Sequence, residues 1–303
     1  MCGIAGILYK HDTGEHAIGE SLIQMLDGCQ HRGRDSTGFA LYGESVDQQL
    51  SLRFIVGSGE DGDKAVVNIN TVLTDNGAEV VEEEHVANQY KVQVRFQGAI
   101  REFAYALEHA AKLLSMGTSL DIIKDIGDAH DVDEIYHVRD FKGSHGVGHV
   151  RLATESDVKP EAAHPFWATG FSDIAIVHNG QITNYWKMRR KLESKGYEFR
   201  TDNDSELIAV FLAEQLNRGI VLEEVLEASI EELDGTFSFL VSTKDEIGFA
   251  KDNLAAKPMV MYEDDGMVAI ASEEVSLNRL FPGRAIQTTE PLPGTFRTWS
   301  KST

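Results

Sequence analysis

The order of elements legible in the 303-residue sequence predicts an α+β protein built from two sheets with helices outside them. Three observations carry this prediction. Strand-like apolar runs open the chain, helical periodicities follow one another between residues 185 and 233, and short strand-like runs dominate from 236 to 271. With 42% hydrophobic residues, 25% charged residues and 6 prolines, the chain can bury a sizeable core, which excludes collagen-like, low-complexity and wholly disordered classes. Its length suits one large domain, or one domain carrying an insertion.

Taken in order, Gly3 to Tyr9 reads as a buried strand. Ile18 to Cys29 reads as a helix with Ile18, Leu22, Ile23, Met25 and Leu26 on one face. The loop His31 to Gly38 leads into a strand at Phe39 to Tyr42. Between residues 44 and 143 the character changes to an inserted α/β segment. Here Leu50 to Val56 and Tyr90 to Phe96 alternate like strands, Phe103 to Leu114 reads as an Ala/Leu-rich helix, and Glu82-Glu83-Glu84 reads as a solvated edge. Strands are then expected at His149 to Thr154 and Ile174 to His178. Helices are expected at Tyr185 to Lys195, at Ser205 to Asn217 with Asp204 as N-cap, and at Leu222 to Leu233. Strands at Thr236 to Ser242, Ile247 to Lys251, Pro258 to Tyr262 and Met267 to Ala271 complete the two sheets.

Composition narrows the function classes. A formal charge of −21 with no Lys/Arg-rich patch argues against nucleic acid and anionic membrane as partners. No uninterrupted apolar stretch approaches a bilayer span. Two cysteines, Cys2 and Cys29, supply neither a disulfide framework nor a zinc or iron–sulfur ligand set, so no metal site is expected and a reducing cytoplasm fits best. The start of the chain lacks the basic flank and the length of an export signal.

The chemistry begins at Cys2. If Met1 is removed, thiol and α-amine sit on one residue, and an amine titrating near ~7.7–8.0 can act as general base for its own sulfur. Such a nucleophile needs oxyanion donors and charges that recognise the substrate. Asn179-Gly180 follows an apolar strand and offers a side-chain amide and a backbone N–H. Arg151 can grip a carboxylate, Asp204 can pair with an ammonium, and Arg32 lies in the Gly-containing loop. Singly, these are an ordinary turn, an ion-pair residue and a helix cap. Together they describe one substrate, an α-amino acid with a side-chain amide.

The whole series resembles class II (N-terminal nucleophile) glutamine amidotransferase domains. It runs through Met1-Cys2-Gly3-Ile4-Ala5-Gly6, His31 to Gly38, Arg151-Leu152-Ala153-Thr154, His164-Pro165-Phe166, His178-Asn179-Gly180 and Asp202 to Glu206. Leu233 to Phe237, Ala250 to Leu254 and Ala271 to Glu274 continue it. The resemblance implies a four-layer αββα fold spanning residues 1–303, with 44–143 inserted. It also implies hydrolysis of glutamine to glutamate and ammonia. Carried over by position, Cys2 is the nucleophile, Asn179 and Gly180 form the oxyanion hole, Arg151 binds the α-carboxylate and Asp204 the α-ammonium. Arg32 supports the loop, and Thr154 and His164 line the pocket.

The 119 residues separating Arg32 from Arg151 (151 − 32) and the end of the sequence at Thr303 are similar to the stand-alone subunits of split glutamate synthases and N-methylglutamate synthase. That resemblance implies no cofactor in this chain, FMN and iron–sulfur clusters on a partner synthase subunit, and glutamine or γ-glutamylmethylamide as substrate. One methyl group on the amide is worth only ~1–3 kcal/mol of discrimination, too little to read from motifs. A non-catalytic gating subunit is the alternative, and it predicts a missing essential residue.

Overall fold

The computed structural model describes residues 2–11, 14–46, 48–152 and 159–302. Two antiparallel sheets stack face to face. The first runs in the order Val260–Glu263, Met267–Ala271, Gly3–Tyr9, His145–Arg151, Ser36–Tyr42, Leu120–Ile126. The second runs Phe296–Ser300, Glu246–Lys251, Gly235–Ser242, Ala175–Ile182, Phe166–Trp167. Strands buried on both faces read as continuous apolar runs rather than alternating ones, and Gly3–Tyr9 is such a strand.

Helices cover both outer faces. Ile18–Gly28, Ala129–Tyr136 and Glu274–Arg279 pack on the first sheet through Leu22, Leu26, Val132 and Leu277. Tyr185–Glu193, Asp204–Asn217 and Leu222–Glu232 pack on the second through Met188, Ile208, Phe211 and Leu226. The expected layered α+β architecture is therefore present. Helix Asp204–Asn217 is buried on nearly every side from Ser205 to Gln215 because it is wedged between its sheet and the two flanking helices.

The inserted segment differs from its sequence reading in extent. A four-stranded sheet, Glu79–Val86, Gln89–Arg95, Gln49–Ile55, Lys112–Gly117, carries helices Gly59–Asp75 and Ile100–Glu108. Strand Leu120–Ile126 and helix Ala129–Tyr136, also within 44–143, belong instead to the first main sheet and its helical cover. The expected helix Phe103–Leu114 stops at Glu108. Residues 112–117 turn into a strand because Gln49–Ile55 offers a pairing edge. Strand Glu79–Val86 is exposed almost throughout, so Glu82-Glu83-Glu84 does lie on a solvated sheet edge.

Buried polar contacts lock the insertion to the main sheet. Arg53 grips Asp121 through Nε to Oδ1 at 2.5 Å and Nη2 to Oδ2 at 2.8 Å, and Lys91 Nζ stands 2.8 Å from the same carboxylate. Burial alone would raise the Asp121 pKa, but the two cations hold it well below the carboxylate range. Asp173 accepts backbone N–H bonds from Thr118, Ser119 and Leu120 at 2.9, 2.9 and 3.0 Å, which closes the junction from the second sheet.

Candidate active site

Cys2 immediately precedes the strand Gly3–Tyr9 and is partly exposed at one end of the sheet sandwich. Pairing of Gly3 with Val150 sets Arg151, the last residue of its strand, beside Cys2. Asn179 reaches the same point from the second sheet, and its Nδ2 donates to the Cys2 carbonyl oxygen at 2.9 Å. Arg32 Nη1 donates to that oxygen at 3.4 Å. The Cys2 sulfur lies 4.0 Å from the Leu152 carbonyl oxygen. The two halves of the expected site, far apart in sequence, therefore meet at one carbonyl.

Asn179-Gly180 is not the turn the sequence suggested, since the strand continues to Ile182. Pairing with Ser238 and Phe237 keeps both residues in the ladder. Gly180 adopts φ +144°, and a Cβ there would lie 2.0 Å from the Thr236 carbonyl oxygen, so only glycine fits. An extended ladder that reaches the site holds the amide more rigidly than a loop would.

Asp204 is the first residue of its helix, and Asn203 is the N-cap, accepting the Ser205 N–H at 2.8 Å. This corrects the expected cap. With Asn203 as the cap, the Asp204 carboxylate turns instead to the strand bearing Asn179 and Gly180, where Oδ2 accepts the Ile182 N–H at 3.0 Å and Oδ1 lies 3.5 Å from His178 Nδ1. Burial opposes its ionisation most strongly, yet the His178 contact and the backbone N–H groups of Ile182 and Ser205 together lower its pKa. An ionised carboxylate at the N-terminus of a 14-residue helix is also favoured by the helix dipole.

His164 lies beneath this surface rather than on it. It is buried, with Nε2 2.7 Å from Ser205 Oγ and its ring stacked on His149 at 4.1 Å. Burial drives both rings toward the neutral form, His149 to about 3 and His164 well below the usual histidine range. Thr154 lies outside the described residues, as do the last residues of the expected strand His149 to Thr154; the strand spans His145–Arg151. Cys29 is fully buried, its thiol pushed up to about 11 by desolvation, in keeping with a structural role.

Several contributors carried no role in the sequence reading. Glu273 pairs with Arg32 and accepts from His31 at 3.3 Å, so it aims the arginine at Cys2. Ser272 Oγ accepts the Ile4 N–H at 3.0 Å and stands 3.4 Å from Asn179 Nδ2. Both sit in the stretch Ala271 to Glu274, whose resemblance to a family motif was the available signal. Lys124 is fully buried and donates to the carbonyl oxygens of Ala163 and Pro165 at 2.7 and 3.1 Å, which pins the segment bearing His164. Among the described residues no group of three or more His, Cys, Asp or Glu is arranged to hold a metal ion. Nor, among them, is any helix long and apolar enough to cross a membrane.

Known proteins share the family and the fold of this chain. Residues 149–279 match the family model described as a glutamine amidotransferase domain. The chain is 37% identical over 298 residues to a protein of Methanothermobacter thermautotrophicus named "Putative glutamine amidotransferase", covering 96% of this chain and 97% of the relative. It is 34% identical over 314 residues to the glutamine amidotransferase-like protein GlxB of Rhizobium meliloti, covering 99% and 98%. Two solved structures share its fold over 99% of the chain and 47% of their own. One is glutamine phosphoribosylpyrophosphate amidotransferase from B. subtilis, with a TM-score of 0.62 and 20% identity. The other is titled the allosteric regulatory enzyme of purine biosynthesis, with 0.63 and 19%. With the αββα layers and these end-to-end relatives in place, the chain belongs to the class II glutamine amidotransferase family.

Proposed function

We propose that this chain is a cytoplasmic glutaminase subunit that attacks glutamine, or a γ-glutamyl amide such as γ-glutamylmethylamide, with the Cys2 sulfur. The supporting observation is the approach of Asn179 Nδ2 to within 2.9 Å of the Cys2 carbonyl, which sets an amide donor from one sheet beside the nucleophile of the other. Removal of Met1 frees the α-amine, which takes the thiol proton as the S–C bond forms. The amine returns that proton to the departing nitrogen as the C–N bond breaks, giving a γ-glutamyl thioester and free ammonia or methylamine. Water then hydrolyses the thioester to glutamate.

Asn179 and the Gly180 N–H stabilise the oxyanion in this reading, Arg151 takes the α-carboxylate, Asp204 takes the α-ammonium, and Arg32, held by Glu273, steadies the Cys2 backbone. The released amine passes to a synthase subunit on a separate chain, which carries the FMN and iron–sulfur chemistry. Intact mass and ammonia release test the reading together. The active protein is expected to lack one methionine, and Cys2→Ala to lose glutamine hydrolysis while keeping the circular dichroism of the unaltered chain. Full turnover by Cys2→Ala would overturn it.

A further inference from the structure

We infer that Ser205 and His178 are positioning residues that aim the Asp204 carboxylate at the substrate ammonium, as the outer end of a buried hydrogen-bonded chain starting at His164. The inference rests on the proposed role of Asp204 and adds to it what holds that group in place. The Ser205 hydroxyl lies 2.7 Å from His164 Nε2 and 3.0 Å from His178 Nδ1, and the same Nδ1 lies 3.5 Å from Asp204 Oδ1. All three intermediaries are buried: Ser205 is 0% exposed, His178 4% and His164 9%. Their order in space, 164 to 205 to 178 to 204, has no counterpart in the sequence.

The direction of the hydrogen bonds follows from donor counting. Asp204 also accepts the Ile182 N–H at 3.0 Å and is ionised, so it offers only acceptors. The His178 nitrogen facing it must therefore carry the proton, and the Ser205 oxygen accepts from that same N–H. Ser205 has one proton left to give, and it goes to His164 Nε2, whose ring must then be protonated at Nδ1. Burial favours a neutral His164, consistent with that single proton. The anchor is firm, because Lys124 clamps the carbonyls on either side of His164 and His149 stacks on its ring. With the chain intact, His178 cannot turn away from Asp204 without giving up its own buried hydrogen bond to Ser205.

The test compares L-glutamine with its analogue lacking the α-amine, 5-amino-5-oxopentanoate, by kcat/KM in the unaltered enzyme, Ser205→Ala and Asp204→Asn. Ser205→Ala is expected to lower the preference for glutamine at least fivefold, through a raised KM for glutamine with kcat within twofold and with the analogue unaffected. Asp204→Asn is expected to lower the preference further. If Asp204→Asn lowers it and Ser205→Ala does not, the positioning role is wrong and the role of Asp204 stands. If neither lowers it, the ammonium-binding role itself fails. Equal losses on both substrates in Ser205→Ala would mean a merely structural role. Nitrogen-15 spectra of the histidine rings in the unaltered protein give an answer that needs no variant to fold. Nδ1–H tautomers are expected at His164 and His178, and an Nε2–H tautomer at either would overturn the chain.

Discussion

Replacing Gly38 by alanine puts the fit between the first sheet and the His164 segment under direct test. A Cβ at residue 38 would lie 2.1 Å from the His164 carbonyl oxygen, 2.6 Å from Lys124 Cβ and 2.9 Å from Pro165 Cδ. None of these is the free end of a flexible side chain, and the first is backbone. Restoring ordinary contact requires the segment to retreat by about 1 Å, against a lysine that holds the carbonyls on both sides of it. Overpacking of this kind costs ~1–3 kcal/mol, and the upper end is expected because two contacts fall well inside the normal limit. Reduced freedom of the unfolded chain returns ~0.4–1 kcal/mol. The net loss of about 2–2.5 kcal/mol corresponds to a drop in Tm of several degrees for a protein of this size. The same retreat shifts His164 relative to Ser205, its partner at 2.7 Å, so the KM for glutamine should rise as well. Calorimetry and steady-state kinetics on Gly38→Ala read both effects. An unchanged Tm with unchanged KM would show that the segment is loosely seated and that the close packing described here is wrong.

Acidification should destabilise the fold between pH 6.5 and 4.5. His149 and His164 are held below their unfolded value, so the unfolded chain binds more protons as pH falls through 6.5, whereas Glu108, raised by burial to about 7, opposes with the reverse sign below 7. Two histidines against one carboxyl leave a net slope of up to ~1.4 kcal/mol per pH unit, and urea midpoints equal at pH 7 and 5 would contradict it. Asn179→Ala removes the amide beside Cys2, the proposed nucleophile, and should lower kcat ~10²–10³-fold with little change in Tm, as read by a coupled glutamate assay. Arg53→Met strips Asp121 of its bidentate partner in a site where that carboxylate is 3% exposed, and should cost ~3–5 kcal/mol in chemical denaturation.

Helix Ile18–Gly28 could be read from sequence because its apolar residues recur on one face and that face alone meets the sheet. Helix Gly59–Asp75 was hidden by Val66, Val67, Ile69, Thr71 and Val72, whose β-branched side chains mask a stripe in which only Gly62, Ile69 and Leu73 are buried. The run from Ala110 to Leu114 continued a helical composition, and only the edge of Gln49–Ile55, about sixty residues away, turned it into a strand. At the site, Cys2, Arg151, Asn179 and Asp204 were recognisable because their chemistry is tied to short motifs. The Ser205 bridge was not, because one hydroxyl joins residues 164 and 178 through contacts that exist only after helix and sheet have docked.

The apolar cluster between the two main sheets runs without a break from Ile4 and Val147 through Tyr42 and Leu120 to Phe54, Tyr90 and Phe103 in the inserted sheet. The insertion is therefore no detachable accessory. Trimming the chain to a minimal glutaminase by joining residue 43 to residue 118 would uncover one flank of the sandwich and strand the Asp121 carboxylate without either cation. A shortened enzyme would need new apolar cover and a neutral residue at 121 before it could stand alone.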